Sequence, residues 1–101
     1  MARKPRTVLE ACVAVKGVHR GAIAAAHVAQ WAMTTEALGR LPTTVEYADW
    51  WAVDERTGWR HRAEAREVFG ESWGEVVQLL ADEMARRKVR SPRGVFGLAV
   101  A

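Results

Sequence analysis

Residues 43–69 read TTVEYADWWAVDERTGWRHRAEAREVF, and the spacing within them decides the fold. Thr43 stands three residues before Glu46, the reciprocal pattern in which each side chain bonds the other residue's backbone N–H, and so opens a short helix through Trp51. Ala52, Val53 and Asp54 break it within three residues. Asp54 then caps a second helix from Glu55 to about Phe69, which Gly70 ends. Ala48 is the small residue where the two helices cross, Tyr47 and Trp51 point to the core, and Val53 is expected as the buried peg of the turn. Glu55, Arg56, Thr57, Trp59 and Arg60 fill the first two turns of the second helix, where side chains of a suitably placed helix reach a major groove.

Upstream, Thr7 with Glu10 makes a capping box for a helix whose apolar face is Val8, Leu9, Cys12 and Val13. Gly17 is expected to end it in a left-handed cap with Val18 folding back onto the helix end. A second helix over 19–38 carries Ile23, Val28, Trp31 and Leu38 among many alanines, closed by Gly39 and Pro42; one long helix bent at Gly17 is the alternative. Downstream, Ser72 with Glu75 predicts a capping box for a final helix to about Lys88. Trp73, Val77, Leu80 and Met84 recur along it at spacings of four and three, a stripe that either docks on the core or builds a dimer. The expected fold is therefore all-α with about five helices in one domain, 1–101: an N-terminal buttress (7–39), the helix pair (43–69), a C-terminal helix (72–88) and an apolar tail or arm (89–101) packed in cis or on a partner.

The pair resembles the helix-turn-helix segments of bacterial and phage repressors and small transcriptional regulators. Thr44, Ala48, Trp51, Val53, Thr57 and Arg60 fall on the positions those families fill with similar residues, over roughly a quarter of the chain. Two positions depart from that pattern: Ala52 stands where the turn is usually glycine, and Gly58 where a branched aliphatic is usual, with Trp50 or Trp59 expected to fill the gap. The resemblance implies sequence-specific binding of double-stranded DNA by a regulator that pairs as a homodimer, without cofactor or catalysis. By that likeness Asp54 opens the reading helix, Glu55, Arg56, Thr57, Trp59 and Arg60 face the DNA, and Thr44 touches the backbone beside the first helix. The bland alternative for Arg56 and Arg60 is pairing with Glu64 or Glu67. For Trp59 it is packing over Gly58.

Charge fits the same reading without deciding it. The net charge is only +3, with 27% charged residues and half the 101 residues hydrophobic. Arg62 and the run Arg86, Arg87, Lys88 and Arg90 are candidate phosphate contacts, though a basic run also suits the end of a helix. Glu64 and Glu67 argue that only the first half of the reading helix faces phosphate. Arginine outnumbers lysine twelve to three, a bias that reads as a GC-rich bacterial or phage coding genome. One cysteine, Cys12, permits no internal disulfide, and no apolar run suits a membrane span, so a cytoplasmic, nucleoid-associated protein is expected. His19, His27, His61 and Cys12 lack metal-ligand spacing, and no catalytic motif is present, so neither metal nor enzyme is expected. The rival reading is a protein-interaction module, a phage-encoded modulator or antitoxin-like partner that grips another protein with its tryptophans or its apolar C-terminal end.

Overall fold

Thr7 accepts a hydrogen bond from the Glu10 amide at 3.1 Å and so starts α1, Val8–Lys16. The computed structural model describes residues 7–90, and among these the chain is all-α, as expected: α2 is Val18–Leu38, α3 Thr44–Trp51, α4 Glu55–Phe69 and α5 Trp73–Arg90. The arm expected at the C-terminus lies, from residue 91 on, outside the described residues.

A single residue, Gly17, separates α1 from α2. Its φ of 92° and ψ of 171° are not the left-handed cap expected from the sequence, and Val18 does not fold back but begins α2, fully in solvent. The two helices are distinct, and they pack tightly at Gly21, where a Cβ would lie 2.5 Å from the Val13 Cα. Of the large apolar residues of α2, Ile23 and Leu38 are exposed and Val28 and Trp31 are buried. Gly39 closes α2 in the left-handed conformation, its amide on the Thr35 carbonyl at 2.8 Å.

The predicted capping box of α3 forms in full, with the Thr43 and Glu46 side chains each accepting the other's amide. The Arg40 guanidinium adds two further bonds and holds the Glu46 carboxyl down to about 2. Ala52, at φ 56° and ψ 43°, takes the left-handed position itself. Its amide reaches the Asp49 carbonyl at 3.3 Å and the Val53 amide the Ala48 carbonyl at 3.0 Å, the paired bonds of a Schellman turn. Asp54 then caps α4.

Three expectations for the α3–α4 crossing need correction. Val53 is 38% exposed and plugs nothing. Gly58 leaves no gap, because it is buried and its missing Cβ lets α4 approach the first turn of α3; a Cβ there would sit 3.1 Å from the Thr44 carbonyl oxygen and 3.8 Å from the Ala48 Cβ. Trp50 and Trp59, 53% and 49% exposed, do not cover it. Ala48 is the small crossing residue the sequence predicts, with Gly58 as its counterpart.

Gly70 ends α4, and a short 3-10 turn, Gly70–Ser72, leads straight into α5. Ser72 forms no cap with Glu75: its hydroxyl donates instead to the Phe69 carbonyl at 2.9 Å. The stripe resolves as core. Val77 is fully buried and Trp73, Leu80 and Met84, partly buried, pack against the cluster of Val28, Trp31, Ala32, Tyr47 and Ala65 within the protomer. No helix among the described residues is long and apolar enough to cross a membrane.

Two substitutions read these constraints. Gly21→Ala forces α1 off α2 and is expected to destabilise the protein by roughly 1 to 3 kcal/mol in urea unfolding, the usual range for overpacking. Ala52→Gly relieves a left-handed L-residue, a cost of about 1 to 2 kcal/mol partly offset by glycine's unfolded-state entropy, and is expected to raise the urea midpoint.

Candidate nucleic-acid interface

The cap of α4 places its first turns. Asp54 accepts both the amide of Thr57 at 2.9 Å and its hydroxyl at 2.7 Å, bonds that hold the carboxyl below its ordinary range and keep it ionised at the helix N-terminus. Thr57 therefore spends its hydroxyl proton on the cap and offers a neighbouring surface only an acceptor.

Arg56 and Arg60, one turn apart, are both exposed, and neither makes an ion pair among the described residues. The Asp54 carboxylate lies within electrostatic reach of both guanidiniums, while Glu64 and Glu67 are engaged elsewhere. Glu64 bonds Nδ1 of His27 on α2, and Glu67 accepts from Nζ of Lys16 on α1 at 2.7 Å. These carboxylates tether α4 to the N-terminal helices, and Lys16 matches the charge of Glu67. A second row on α4 joins Glu55, Trp59 and Arg62. The Trp59 indole N–H makes a long bond to Glu55 at 3.4 Å, and the Arg62 guanidinium lies 4.4 Å from the centroid of the same ring, a cation–π contact.

Other expected contact residues lie elsewhere. Thr44 is buried, its carbonyl against Gly58, so its side chain is withdrawn from any backbone contact. Arg86 and Arg87 both pair with Glu83 on α5. Arg87 borders a groove of about 410 Å³ with Met33, Ala37, Trp50 and Met84, a different hollow from the one beside Arg60. Lys88 and Arg90 belong to the last turn of α5, and their side chains lie outside the described residues.

Behind Arg60 is a polar cluster that sequence reading missed. His27 and His61 stack with ring centroids 3.5 Å apart and planes within 12°. The Tyr47 hydroxyl sits 2.8 Å from Nδ1 of His61 and donates to Oε1 of Gln30 at 2.9 Å. With the hydroxyl proton spent on Gln30, the His61 ring must donate from Nδ1, which leaves its Nε2 as an acceptor. Together with Arg60, Glu64 and Glu67 the two rings line a hollow of about 440 Å³. Burial, beside the Glu64 charge, raises both the Tyr47 phenol and the Cys12 thiol above their ordinary values. Thirty-four residues separate the two histidines, so no local spacing signals the pair.

No family model, curated protein or solved structure matches the chain. The site presents two unpaired guanidiniums and a half-exposed tryptophan on the first turns of a capped helix, suited to contact with an anionic, groove-bearing surface. Among the described residues no group of three His, Cys, Asp or Glu side chains is arranged to hold a metal ion.

Burial, and then the neighbouring His27, push the His61 imidazole below its ordinary value of 6.5. The unfolded chain thus takes up this proton near pH 6.5 while the folded protein resists it. Stability is full above about pH 6.5 and falls as the pH drops through the window beneath it. The urea midpoint is expected to be lower at pH 5.5 than at 7.5, and His61→Gln, which keeps a donor for the Tyr47 hydroxyl, is expected to narrow that difference.

Proposed function

We propose that the protein binds double-stranded DNA through α3 and α4 as a small helix-turn-helix transcriptional regulator. The observation that carries this reading is that Arg56 and Arg60 stand exposed and unpaired on the first turns of α4, while Glu64 and Glu67 are tied to His27 and Lys16 behind it. A helix offered to phosphate loses affinity through every uncompensated carboxylate, and here Glu67 holds the Lys16 ammonium while Glu64 bonds the His27 ring. The left-handed turn at Ala52 and the close crossing at Gly58 support the same reading, since they fix α4 against α3 over a short span. In this reading Arg56 and Arg60 reach base edges or phosphates, Trp59 lays its ring on sugar or a thymine methyl, and Arg62 steadies that ring. One such pair makes few contacts, so two copies acting as a homodimer on a two-fold site would supply the affinity, in a cytoplasmic, nucleoid-associated protein.

One observation favours a second reading. The groove of Met33, Ala37, Trp50 and Met84 joins an exposed tryptophan to two methionines, residue types enriched where proteins grip one another, and it lies away from Arg56 and Arg60. A protein-interaction module would use it.

Duplex selection from random sequence, followed by titration at several salt concentrations, separates the two. The DNA reading expects affinity to fall steeply with salt. The Arg56→Ala, Arg60→Ala double variant should lose about tenfold or more in affinity and reduce the log–log salt slope by roughly 2, with an unchanged urea midpoint. Salt-independent binding, or a double variant that binds duplex as the parent does, would falsify it.

A further inference from the structure

The stacked imidazoles of His27 and His61 lie directly behind Arg60, and the rings line the same hollow as that guanidinium. Parallel rings 3.5 Å apart cannot both carry a proton without strong repulsion, so a proton on one ring opposes a proton on the other. Each ring has a fixed partner. Nδ1 of His27 faces the Glu64 carboxylate, which matches a charge on that ring, while Nδ1 of His61 donates to the Tyr47 oxygen and leaves Nε2 open. The groups facing the pair are accounted for on every helix packed there. Lys16 of α1 is spent on Glu67, and the Cys12 thiol of α1 is buried and held protonated. Gln30 of α2 and Tyr47 of α3 are neutral, and α4 contributes Arg60, Glu64 and Glu67.

Deepening the duplex-binding reading, on which this inference rests, we propose that His27 and His61 are positioning residues that draw one proton into the stack when Arg60 engages a DNA phosphate. In the free protein Arg60 and the partner imidazole both oppose that proton. A phosphate seated on Arg60 cancels the first of these repulsions, so the complex binds the proton more tightly than the free protein does. By linkage, affinity for duplex must then rise as pH falls. The proton enters from solvent at an open Nε2, and no bond other than N–H is made. The rings, bonded to Glu64 and to the Tyr47 oxygen, tie α4 to α2 and α3 behind Arg60.

The test is duplex affinity of the full chain at constant salt across pH 8.0 to 6.0, for the wild type, His27→Gln and His61→Gln. NMR titration of the imidazoles in the free proteins accompanies it. Wild-type affinity should rise about threefold to tenfold over that range, and each single variant should flatten the rise while keeping the salt slope of the parent. The free wild type should show two separated titration steps, with the His61 step moving to higher pH in His27→Gln. Salt-dependent but pH-flat binding by the wild type, or an unchanged rise in both variants, overturns the proposal and leaves the duplex reading standing. An unmoved His61 step in His27→Gln also overturns it. Absence of any duplex binding by the wild type overturns both.

Discussion

Trp31 is the residue on which the other helices converge. It is fully buried on α2, its ring stacks on Tyr47 of α3 at 4.2 Å and takes the edge of Trp73 of α5 at 5.5 Å. Through the Tyr47 hydroxyl the same contact chain reaches His61 of α4. The indole N–H of Trp31 is buried without a hydrogen-bond partner among the described residues, which costs about 1 to 3 kcal/mol. Burying about 200 Å² of ring at about 25 cal/mol/Å² offsets that, contributing roughly 5 kcal/mol. The arrangement makes sense if placement of the ring matters more than satisfaction of its nitrogen. Both aromatic neighbours are fixed by Trp31, and with them the depth at which α3 and α5 sit.

That dependence explains why the α3–α4 crossing departs from the pattern its sequence suggests. Tyr47 is a large residue in the middle of a short helix, committed to Trp31 on one side and to His61 on the other. Tyr47 Cδ1 would lie 3.5 Å from a Cβ on Gly58, so a branched side chain at that position would have to displace the tyrosine. Glycine removes the conflict and brings α4 to the Thr44 carbonyl, and the roughly 1 kcal/mol it costs in helix propensity is recovered as packing. Ala52 in the turn is a separate matter. Its left-handed backbone is held by the two Schellman bonds, and its methyl group stands in solvent.

What the sequence made legible is what depends on neighbours three or four residues away. The caps at Thr7, Thr43 and Asp54, the ends at Gly39 and Gly70, and the stripe on α5 are all local, and all appear. Ser72 failed because the chain enters α5 through a 3-10 turn whose Phe69 carbonyl offers the hydroxyl a nearer partner. Ile23 and Leu38 are exposed: apolar character on a long helix says which residues would gain from burial, not whether a partner helix reaches them. Of the site, Arg56 and Arg60 follow from their distance to the Asp54 cap. The pairing of Arg86 and Arg87 with Glu83 is local to α5, whereas the burial of Thr44 was not legible, since it is set by what α4 brings to it. The His27–His61 stack was out of reach for the same reason.

The charges on α4 show how the long-range contacts serve the local ones. Taken alone, α4 has an acidic later half that should repel any polyanion its first half attracts. Lys16 and His27 change that balance, because each brings a cation or a proton-accepting ring from a distant part of the chain to one of those carboxylates. Exposed ion pairs are worth little to stability, so these contacts do more for the direction of the electrostatic field than for the fold. With Glu64 and Glu67 engaged from behind, Arg56, Arg60 and Arg62 are the α4 cations without an ion pair among the described residues, the first two within electrostatic reach of the Asp54 carboxylate that caps the helix. The N-terminal helices are thus more than a buttress: by occupying the acidic side of α4 they make its basic side the one presented to solvent.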